Sequence, residues 1–391
     1  MSLYFCGIDI SKYKHDCCII CAANQQVVAK LTFKNDRTGF EKFLSTLNSL
    51  QDSEDIRIGF ESTSHYALNL ELFLESSNLS FMEVNPVLIS EYRKSSSLRR
   101  TKTDSVDCET IARWLMSVEY KPHTRGFYHA YSLKSLTRLR DRLIRQRSLY
   151  LVKITDVLDH TFPEFKPFFN EKFSVTALYL LETYGSAQKM SHMNQASYEK
   201  LRSISRGQFS IQKFFSLKEL AANSVGTNNT IFDLELSSLI SLYKNLQIEI
   251  NKIEAEIIRL VDELHLHFTS IPGIGPLSAA VIYSEYGDIS SFSTPAKMLA
   301  YAGLEPGIDE SGTESYKGRM VKHGSSMLRF TLLNCCLPAI RFDLTFAQYY
   351  AKKRREGKSH RVAMSHVAKK LVRVIHALER QGIDYDPIKL R

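Results

Sequence analysis

The stretch YFCGIDISK, residues 4–12, decides the fold of the first part of the chain. The apolar run around it predicts a buried β-strand over residues 3–10. Asp9 lies inside this run. An ionised carboxylate in a core strand is costly unless a cation or a hydrogen-bond donor accompanies it. The stretch therefore predicts a buried strand and a charged partner for Asp9.

The segments that follow alternate between strand and helix patterns. Strands are predicted at 3–11, 16–23, 27–33, 56–62 and 80–86, and helices at 38–50, 65–77 and 104–118. The order βββαβαβα is that of an α/β ribonuclease-H-like domain, which we expect over residues 1–128. Because one fold serves many functions, the function has to be argued from the site.

Four acidic residues define the candidate site. Glu61 ends the fourth predicted strand, and in a ribonuclease-H-like sheet that strand is the neighbour of the strand that carries Asp9. Asp104 and Asp107 are three residues apart and lie on one face of a helix start. Four carboxylates at one edge would repel unless a divalent metal joins them, and Mg²⁺ prefers such hard oxygen ligands. The sequence therefore predicts an Mg²⁺ or Mn²⁺ site, although Asp104 by itself would also serve as a helix N-cap.

Composition restricts the remaining options. The chain has 391 residues, 44% of them hydrophobic, which is enough for two or three domains with cores of their own. No run of about 18 apolar residues predicts a membrane span, and no signal-peptide pattern is present. The 7 cysteines, an odd number without a secretion signal, predict reduced thiols in a cytosol.

The net charge of +9 is unevenly distributed. Residues 1–90 carry 7 Lys/Arg against 11 Asp/Glu, whereas residues 317–391 carry 17 against 5. Basic blocks beside an acidic first segment predict a polyanionic partner, although a solvated surface has the same composition. The candidate nucleic-acid contacts in these blocks are Arg99, Arg100, Lys102, Lys317, Arg319, Lys322, Lys352, Lys353, Arg354, Arg355 and Arg361.

The middle of the chain, 129–266, is predicted to be mainly helical. Arg138, Arg142 and Arg145 fall on one helical face, where they are further candidates for phosphate contacts. Between residues 236 and 264, both core positions of the heptad are apolar for about four heptads. This pattern predicts a coiled coil, between chains or as a hairpin, or an amphipathic helix packed inside its own chain.

The last region, 267–391, is predicted to be mainly α-helical. It opens with SIPGIGPLSAAVIYSEYG (270–287), a Pro-Gly-Ile-Gly turn that is typical of a helix-hairpin-helix. In such a motif the backbone N–H groups at Gly273 and Gly275 would approach a phosphate. A plain turn between two helices would have the same sequence.

Taken together, GIDISK, FESTSHY and RTKTDSVDCETIA resemble the DEDD motifs of a bacterial transposase group. The group is the one-hundred-and-ten family of insertion sequences, with the Piv and MooV DNA invertases. The resemblance continues through SIPGIGPLSAAVI, KMLAYAGLEPGIDESGTESYKGRMVKHGSSMLRFTLL and the basic C-terminal segment, and leaves out only the weakly patterned middle.

The resemblance implies a RuvC-like first domain and a C-terminal transposase domain with a nucleophilic serine. That serine corresponds to Ser311, in GLEPGIDESGTES, and Ser315 is a competing assignment. From the residues alone, a serine beside glycine in a polar loop is a turn residue. Serine also needs activation, and the family places the metal-bearing acidic site against it, supplied by another subunit.

The resemblance also implies partners. We expect donor and target DNA, a structured guide (bridge) RNA whose base pairing reads sequence, and a homo-oligomer, a dimer or a tetramer. We expect a bacterial cytoplasmic protein that associates with the nucleoid. The recombination reaction would be transposition or inversion.

Three other classes of protein share parts of this pattern. A RuvC-like nuclease or Holliday junction resolvase would use the four carboxylates without Ser311. An actin-like sugar kinase or ATPase also opens with an apolar strand and Gly-x-Asp, but the chain lacks the glycine-rich phosphate loop which that fold needs after the strand. A non-catalytic RNA-binding scaffold would leave Asp9 unexplained.

Overall fold

The computed structural model describes residues 2–50, 53–61, 66–84, 86–96, 104–122, 127–169, 173–289, 292–311, 314–322 and 324–388. Within these ranges, side chains are described except at 2, 53–54, 87, 96, 104–106, 127–129, 306–311 and 314–319. The chain forms two compact units, Met1–Tyr128 and His129–Arg391.

The first unit is a mixed five-stranded sheet with helices. Its strands are β1 (Ser2–Ile10), β2 (Lys14–Cys21), β3 (Val27–Lys34), β4 (Ser53–Glu61) and β5 (Phe81–Val84), and its helices are α1 (Arg37–Asn48), α2 (Leu68–Ser76), α3 (Pro86–Ser96) and α4 (Asp104–Ser117). The strand order is β3-β2-β1-β4-β5. β1 pairs with β2 in antiparallel and with β4 in parallel orientation, so the predicted pairing of the first and fourth strands is confirmed. This arrangement is compatible with a ribonuclease-H-like domain.

The two faces of the sheet have separate cores. Cys6, Ile8 and Phe60 pack with α1 and α2 on one face, where Phe43 is fully buried. Phe5 packs on the other face with Ile111, Trp114 and Leu115 of α4. Because successive side chains of a strand alternate between faces, β1 is apolar on both sides, as its sequence predicts.

Helix α3 is an element that the sequence analysis did not predict. It begins at Pro86, the residue at which the sequence predicts the end of the fifth strand. Proline is favoured at the first position of a helix, because its fixed φ suits the helix and the missing N–H has no partner there in any case. The segment after β5 is therefore helical as far as Ser96.

The second unit consists of helices and one hairpin. Its helices are α5 (Phe127–Thr161, which begins at the end of the first unit), α6 (Phe165–Phe168), α7 (Val175–Thr183), α8 (Ala187–Ser191), α9 (Gln195–Ile204), α10 (Ile211–Ala222), α11 (Thr230–Leu264), α12 (Pro276–Tyr286), α13 (Pro295–Tyr301), α14 (Ser326–Phe342), α15 (Leu344–Arg355) and α16 (His360–Gln381). Strands β6 (Pro306–Ser311) and β7 (Glu314–Met320) form an antiparallel ribbon.

Helices α5 and α11 form a long antiparallel pair. Arg140 Nε donates to Glu254 Oε1 at 2.7 Å, and Arg147 Nη1 to Gln247 Oε1 at 2.6 Å, so the helices run in opposite directions. Ile250 of the heptad pattern is only 1% exposed. Because α5 and α11 are joined by these two contacts, packing inside one chain is sufficient to explain the heptad pattern. Self-association through 236–264 stays a prediction.

The C-terminal region shares one core with this helix pair. Ile257 and Val261 of α11 pack with buried residues of α12, α14 and α16, among them Ile282, Leu332 and Leu371. The predicted division of the unit at residue 266 stays a prediction. In the part of the chain that the structure describes, no single helix has the length and apolarity to cross a membrane, and only the bent pair α14–α15 passes that test jointly.

Candidate active site

Asp9 and Glu61 are neighbours at the carboxyl ends of two parallel strands. Ile8 of β1 lies opposite Phe60 of β4. The same register continued by one residue sets Asp9 beside Glu61, and adjacent parallel strands are about 4.8 Å apart. Both carboxylate side chains are half-buried. The pairing that the sequence predicts for these two acids is therefore present in the backbone.

Two glycines show which face of the sheet these acids occupy. A Cβ built on Gly7 would lie 2.2 Å from the carbonyl oxygen of Cys108, so α4 packs directly on the backbone of β1. A Cβ on Gly59 would lie 2.7 Å from Leu115 of the same helix. Residues two apart on a strand share a face. Asp9 follows Gly7 by two residues and Glu61 follows Gly59 by two, so both lie on the face covered by α4.

The beginning of α4 lies towards Asp9. Phe5 packs against Leu115, near the end of α4, and Gly7 meets Cys108, nearer its start. The next residue on this face, Asp9, therefore lies towards the first turn of α4, which carries both acids of the DSVD segment. The N-terminus of a helix also favours negative charge, which lowers the cost of gathering carboxylates there.

Asp107 is buried and paired with a cation. It is 8% exposed, and its Oδ1 lies 2.7 Å from Nη2 of Arg93 on α3. A buried carboxylate requires such a partner, because an uncompensated charge in the interior is strongly destabilising. Arg93 is not among the predicted site residues, because no helix or strand is predicted for the basic stretch before Asp104. The signal in the sequence that could have placed Arg93 on a helix is Pro86, since proline is favoured at the first position of a helix.

The donor chemistry of the four acids suits Mg²⁺ or Mn²⁺, which prefer carboxylate oxygens. Among the side chains that the structure describes, however, no three Asp, Glu, His or Cys groups are arranged to hold an ion. The side chain of Asp104 lies outside the described residues, and Asp107 is engaged by Arg93. The structure brings Asp9 and Glu61 together on the face that α4 covers, with Asp9 towards the first turn of that helix. The complete metal site stays a prediction.

A further acid, Asp16, lies beside Asp9 and was missed by the sequence analysis. Asp16 of β2 is the register partner of Asp9. Its carboxylate accepts a hydrogen bond from Thr32 Oγ1 and lies 3.4 Å from Lys14 Nζ. Side chains alternate between the two faces along β2, and His15 is fully buried on one face, so Asp16 lies on the opposite face. This alternation is the signal that could have placed Asp16 near Asp9.

Ser311 is the last residue of β6, at the tip of the β6–β7 ribbon, and not part of an irregular loop as predicted. Its register partner is Glu314, and Ser315 pairs with Glu310. The side chains of both serines lie outside the described residues. A strand end fixes the backbone of the serine, which a mobile turn would not.

The base of this ribbon is attached to α14. Arg329 Nη1 donates to the carbonyl oxygen of Ala302 at 3.2 Å and to that of Lys322 at 3.3 Å. These two carbonyls precede and follow the ribbon. The Val321 N–H also donates to the carbonyl of Glu305 at 3.0 Å. One guanidinium therefore joins both ends of the serine-bearing ribbon to a core helix.

The glycines of the predicted helix-hairpin-helix differ in their surroundings. Gly273 has φ +100°, and a Cβ there would lie 2.7 Å from the backbone nitrogen of Ala339 on α14. Close packing of two backbones therefore accounts for this glycine. Gly275 is the N-cap of α12, with Pro276 as the first helical residue and open space where a Cβ would stand. A phosphate contact at either glycine stays a prediction.

Several of the candidate basic residues pair with other groups of the chain. Arg138 Nη2 lies 3.1 Å from Glu285, which is 4% exposed, and Arg145 pairs with Asp141 at 2.9 Å. In α15, Lys353 pairs with Glu356 at 2.8 Å. Arg354 Nη1 donates to the carbonyl oxygen of Lys358 at 2.7 Å. Arg138, Arg145 and Arg354 are nevertheless exposed. The other described candidates, Arg142, Lys322, Lys352, Arg355 and Arg361, are exposed as well, and the structure does not describe the side chains of Arg99, Arg100, Lys102, Lys317 and Arg319.

Comparison with protein families gives the class of this chain, a DNA-processing enzyme of the transposase class. A DEDD model described as "Transposase" matches residues 6–163. A second model, described as "Transposase IS116/IS110/IS902 family", matches residues 266–351. The chain carries both domains of the IS110 family of transposases and belongs to that family.

Individual relatives have low sequence identity, but the similarity to two of the three named here extends over nearly the whole chain. A 43.6 kDa protein of insertion element IS110 from Streptomyces coelicolor is 28% identical over about half of each chain, 53% of this one and 52% of that one. A 42 kDa protein of insertion element IS900 from Mycobacterium paratuberculosis is 23% identical over 97% of this chain and 96% of its own. The pilin gene-inverting protein of Moraxella bovis is 23% identical over 99% and 98%.

Proposed function

We propose that this transposase cuts and rejoins DNA through a covalent phosphoserine at Ser311, assisted by a metal-bound acidic cluster of Asp9, Glu61, Asp104 and Asp107. The observation that supports it most is the placement of Asp9 beside Glu61 on the face that α4 covers, with Asp9 towards the first turn of α4. A solvated or purely structural acid does not require this convergence.

The reaction at the serine conserves the phosphodiester. The Ser311 hydroxyl gives up its proton, and its oxygen forms a bond to phosphorus. The bond from phosphorus to the oxygen of the departing strand breaks, and that oxygen takes up a proton. Rejoining reverses these steps with another strand end, so no high-energy cofactor is needed. When bound at the acidic cluster, Mg²⁺ or Mn²⁺ supplies charge stabilisation for the phosphate oxygens.

The proposed partners are donor and target DNA and a structured guide RNA. The basic C-terminal segment supports a polyanion partner, since residues 317–391 carry 17 Lys/Arg against 5 Asp/Glu. Contacts from such residues go to backbone phosphates and carry no base specificity of their own. A guide RNA that reads sequence by pairing fits this composition. A homo-oligomer is proposed to present the acidic cluster and the serine to the same phosphate.

The test is strand exchange with Asp9→Asn and Glu61→Gln, which keep side-chain size and remove the charge. We expect each to lower the rate at least about a hundredfold, as loss of a charge-stabilising group does. Asp55→Asn is the matched control, an exposed acid near the other end of β4, and should recombine at the wild-type rate. Wild-type rates in both site variants would contradict the proposal. Hydrolytic nicking without rejoining would favour a RuvC-like resolvase.

A further inference from the structure

The outer face of α14 combines an aromatic ring, an amide and a cation in a row. Phe330 is 65% exposed and Leu337 is 62% exposed, although α14 is otherwise a core helix. Asn334 and Arg341 are exposed on the same face, since residues 330, 334, 337 and 341 follow helical spacing. We call these four residues the outer face of α14. At its end the Arg341 guanidinium lies over the ring of Phe342, 5.5 Å from the centroid.

The charge of this face selects for a negatively charged occupant. Helix α14, Ser326–Phe342, contains two arginines and no aspartate or glutamate. It lies within the segment that carries 17 Lys/Arg against 5 Asp/Glu. The exposed Lys322 precedes the helix and extends the basic character to its start. A cationic surface with an exposed aromatic ring is the composition that binds unpaired nucleotides, through phosphate contacts and stacking of bases.

The exposed apolar area is small for a protein interface. Phe330 and Phe342 are 65% and 70% exposed. With about 150–250 Å² per aromatic side chain, the two rings present roughly 270 Å². A stable interface buries about 800 Å² on each partner. The row is also long and narrow, about 16.5 Å from Phe330 to Arg341, which corresponds to about five stacked nucleotides at 3.4 Å each.

The outer face begins where the serine ribbon is attached. Arg329, one residue before Phe330, joins the carbonyls of Ala302 and Lys322 at the two ends of the ribbon. A strand that reaches Ser311 from the base of the ribbon would therefore pass the start of α14. We propose that the outer face of α14 is a stacking platform for an unpaired DNA strand, the kind of strand that Ser311 would join, with Phe330 as its base-stacking residue. This inference rests on the strand chemistry proposed for Ser311.

The test is fluorescence anisotropy of the full-length protein with labelled oligothymidine, with oligouridine and with a blunt duplex. We expect Phe330→Ala and Phe330→Leu to weaken binding of the single strand about tenfold, because both lose the ring that stacks on a base. Phe330→Tyr keeps the ring and should bind as the wild type does. Phe215→Ala is the control, because Phe215 is a 61% exposed phenylalanine on α10. Duplex binding should change less than about twofold in all variants.

The outcomes separate the alternatives. Binding of oligothymidine that is at least as tight as that of oligouridine, and that is weakened in Phe330→Leu, supports the platform. Tighter binding of oligouridine would assign the face to RNA and overturn the proposal. Unchanged single-strand affinity in Phe330→Leu overturns the proposal. Loss of self-association in Phe330→Ala by light scattering, with unchanged affinity for oligonucleotides, would assign the face to a second copy and also overturn it.

Failure of this inference is distinguishable from failure of the proposed function. If the wild type forms a serine adduct and Phe330→Ala binds single strands normally, only the stacking platform is wrong. If the wild type forms no adduct and Phe330→Ala loses single-strand binding, the platform is correct and the serine chemistry is wrong.

Discussion

Replacing Gly7 by alanine should displace α4 from the sheet and with it the first turn that lies over Asp9. The new Cβ would lie 2.2 Å from the carbonyl oxygen of Cys108 and 2.4 Å from the backbone nitrogen of Ala112. Ordinary contact needs about 3.5 Å, so the helix must move by about 1 Å. Neither contact can be relieved by a side-chain rotation, because both partners are backbone atoms. We expect the unfolding free energy to fall by about 3 kcal/mol, the upper part of the range for overpacking.

The measurement is urea unfolding followed by tryptophan fluorescence. Trp114 is the single tryptophan of the chain, lies on α4 and is 8% exposed, so its signal reports the docking of this helix. Gly59→Ala is the matched control, since the three atoms nearest to its Cβ would be side-chain atoms of Leu115, the closest at 2.7 Å. Those atoms can rotate away, so we expect a loss of about 1 kcal/mol. Equal stability of Gly7→Ala and the wild type would refute the close packing of α4 on β1.

Three further predictions concern charge and packing. Arg93→Met leaves Asp107 buried without its cation and should lower the free energy of unfolding by about 3–5 kcal/mol. If Asp107 binds metal, Mg²⁺ should raise the melting temperature of Arg93→Met more than that of the wild type. Equal increases in melting temperature would count against a metal at Asp107. Glu71 lies on α2 and is 3% exposed, and burial, followed by the neighbouring Glu83, raises its pKa to about 9. The contribution of its protonated form to stability is complete below about pH 4.5 and is lost as the pH rises towards 9. Glu71→Gln should therefore stabilise the protein by about 5 kcal/mol at pH 8 and little at pH 4 in thermal melts, and a pH-independent difference would contradict this. Ile250→Asp should lower the unfolding free energy by about 3 kcal/mol without reducing the mass of the folded protein in light scattering, whereas a folded protein of lower mass would show that this position joins chains.

The first unit could be predicted from sequence because its signals are local. The apolar run around Asp9, the position of Glu61 at a strand end and the DSVD segment each indicate an element, and one fold brings them together. The sequence does not predict α3, because a proline is compatible both with the end of a strand and with the first position of a helix. In the structure Pro86 begins a helix. Arg93 was missed with it, since its pairing with Asp107 joins two elements and leaves no periodic trace in the sequence.

The second unit was harder to predict, for two physical reasons. The heptad pattern of α11 is the same whether its partner helix belongs to another chain or to α5, and it does not reveal the contact of Arg140 with Glu254 that joins α11 to α5. The ribbon that ends at Ser311 has polar, glycine-containing strands without alternation. Such strands carry little β signal, because β propensity reflects packing on a half-buried surface.

The covalent adduct tests the central claim most directly. Wild-type protein with a nicked DNA substrate and Mg²⁺ should give a protein–DNA species that survives a denaturing gel, and Ser311→Ala should bind the same DNA and give none. Ser315→Ala, on the paired strand of the same ribbon, should retain the adduct. An adduct that persists in Ser311→Ala, or a wild type that cleaves DNA with no adduct at all, would contradict the assignment of Ser311 as the nucleophile.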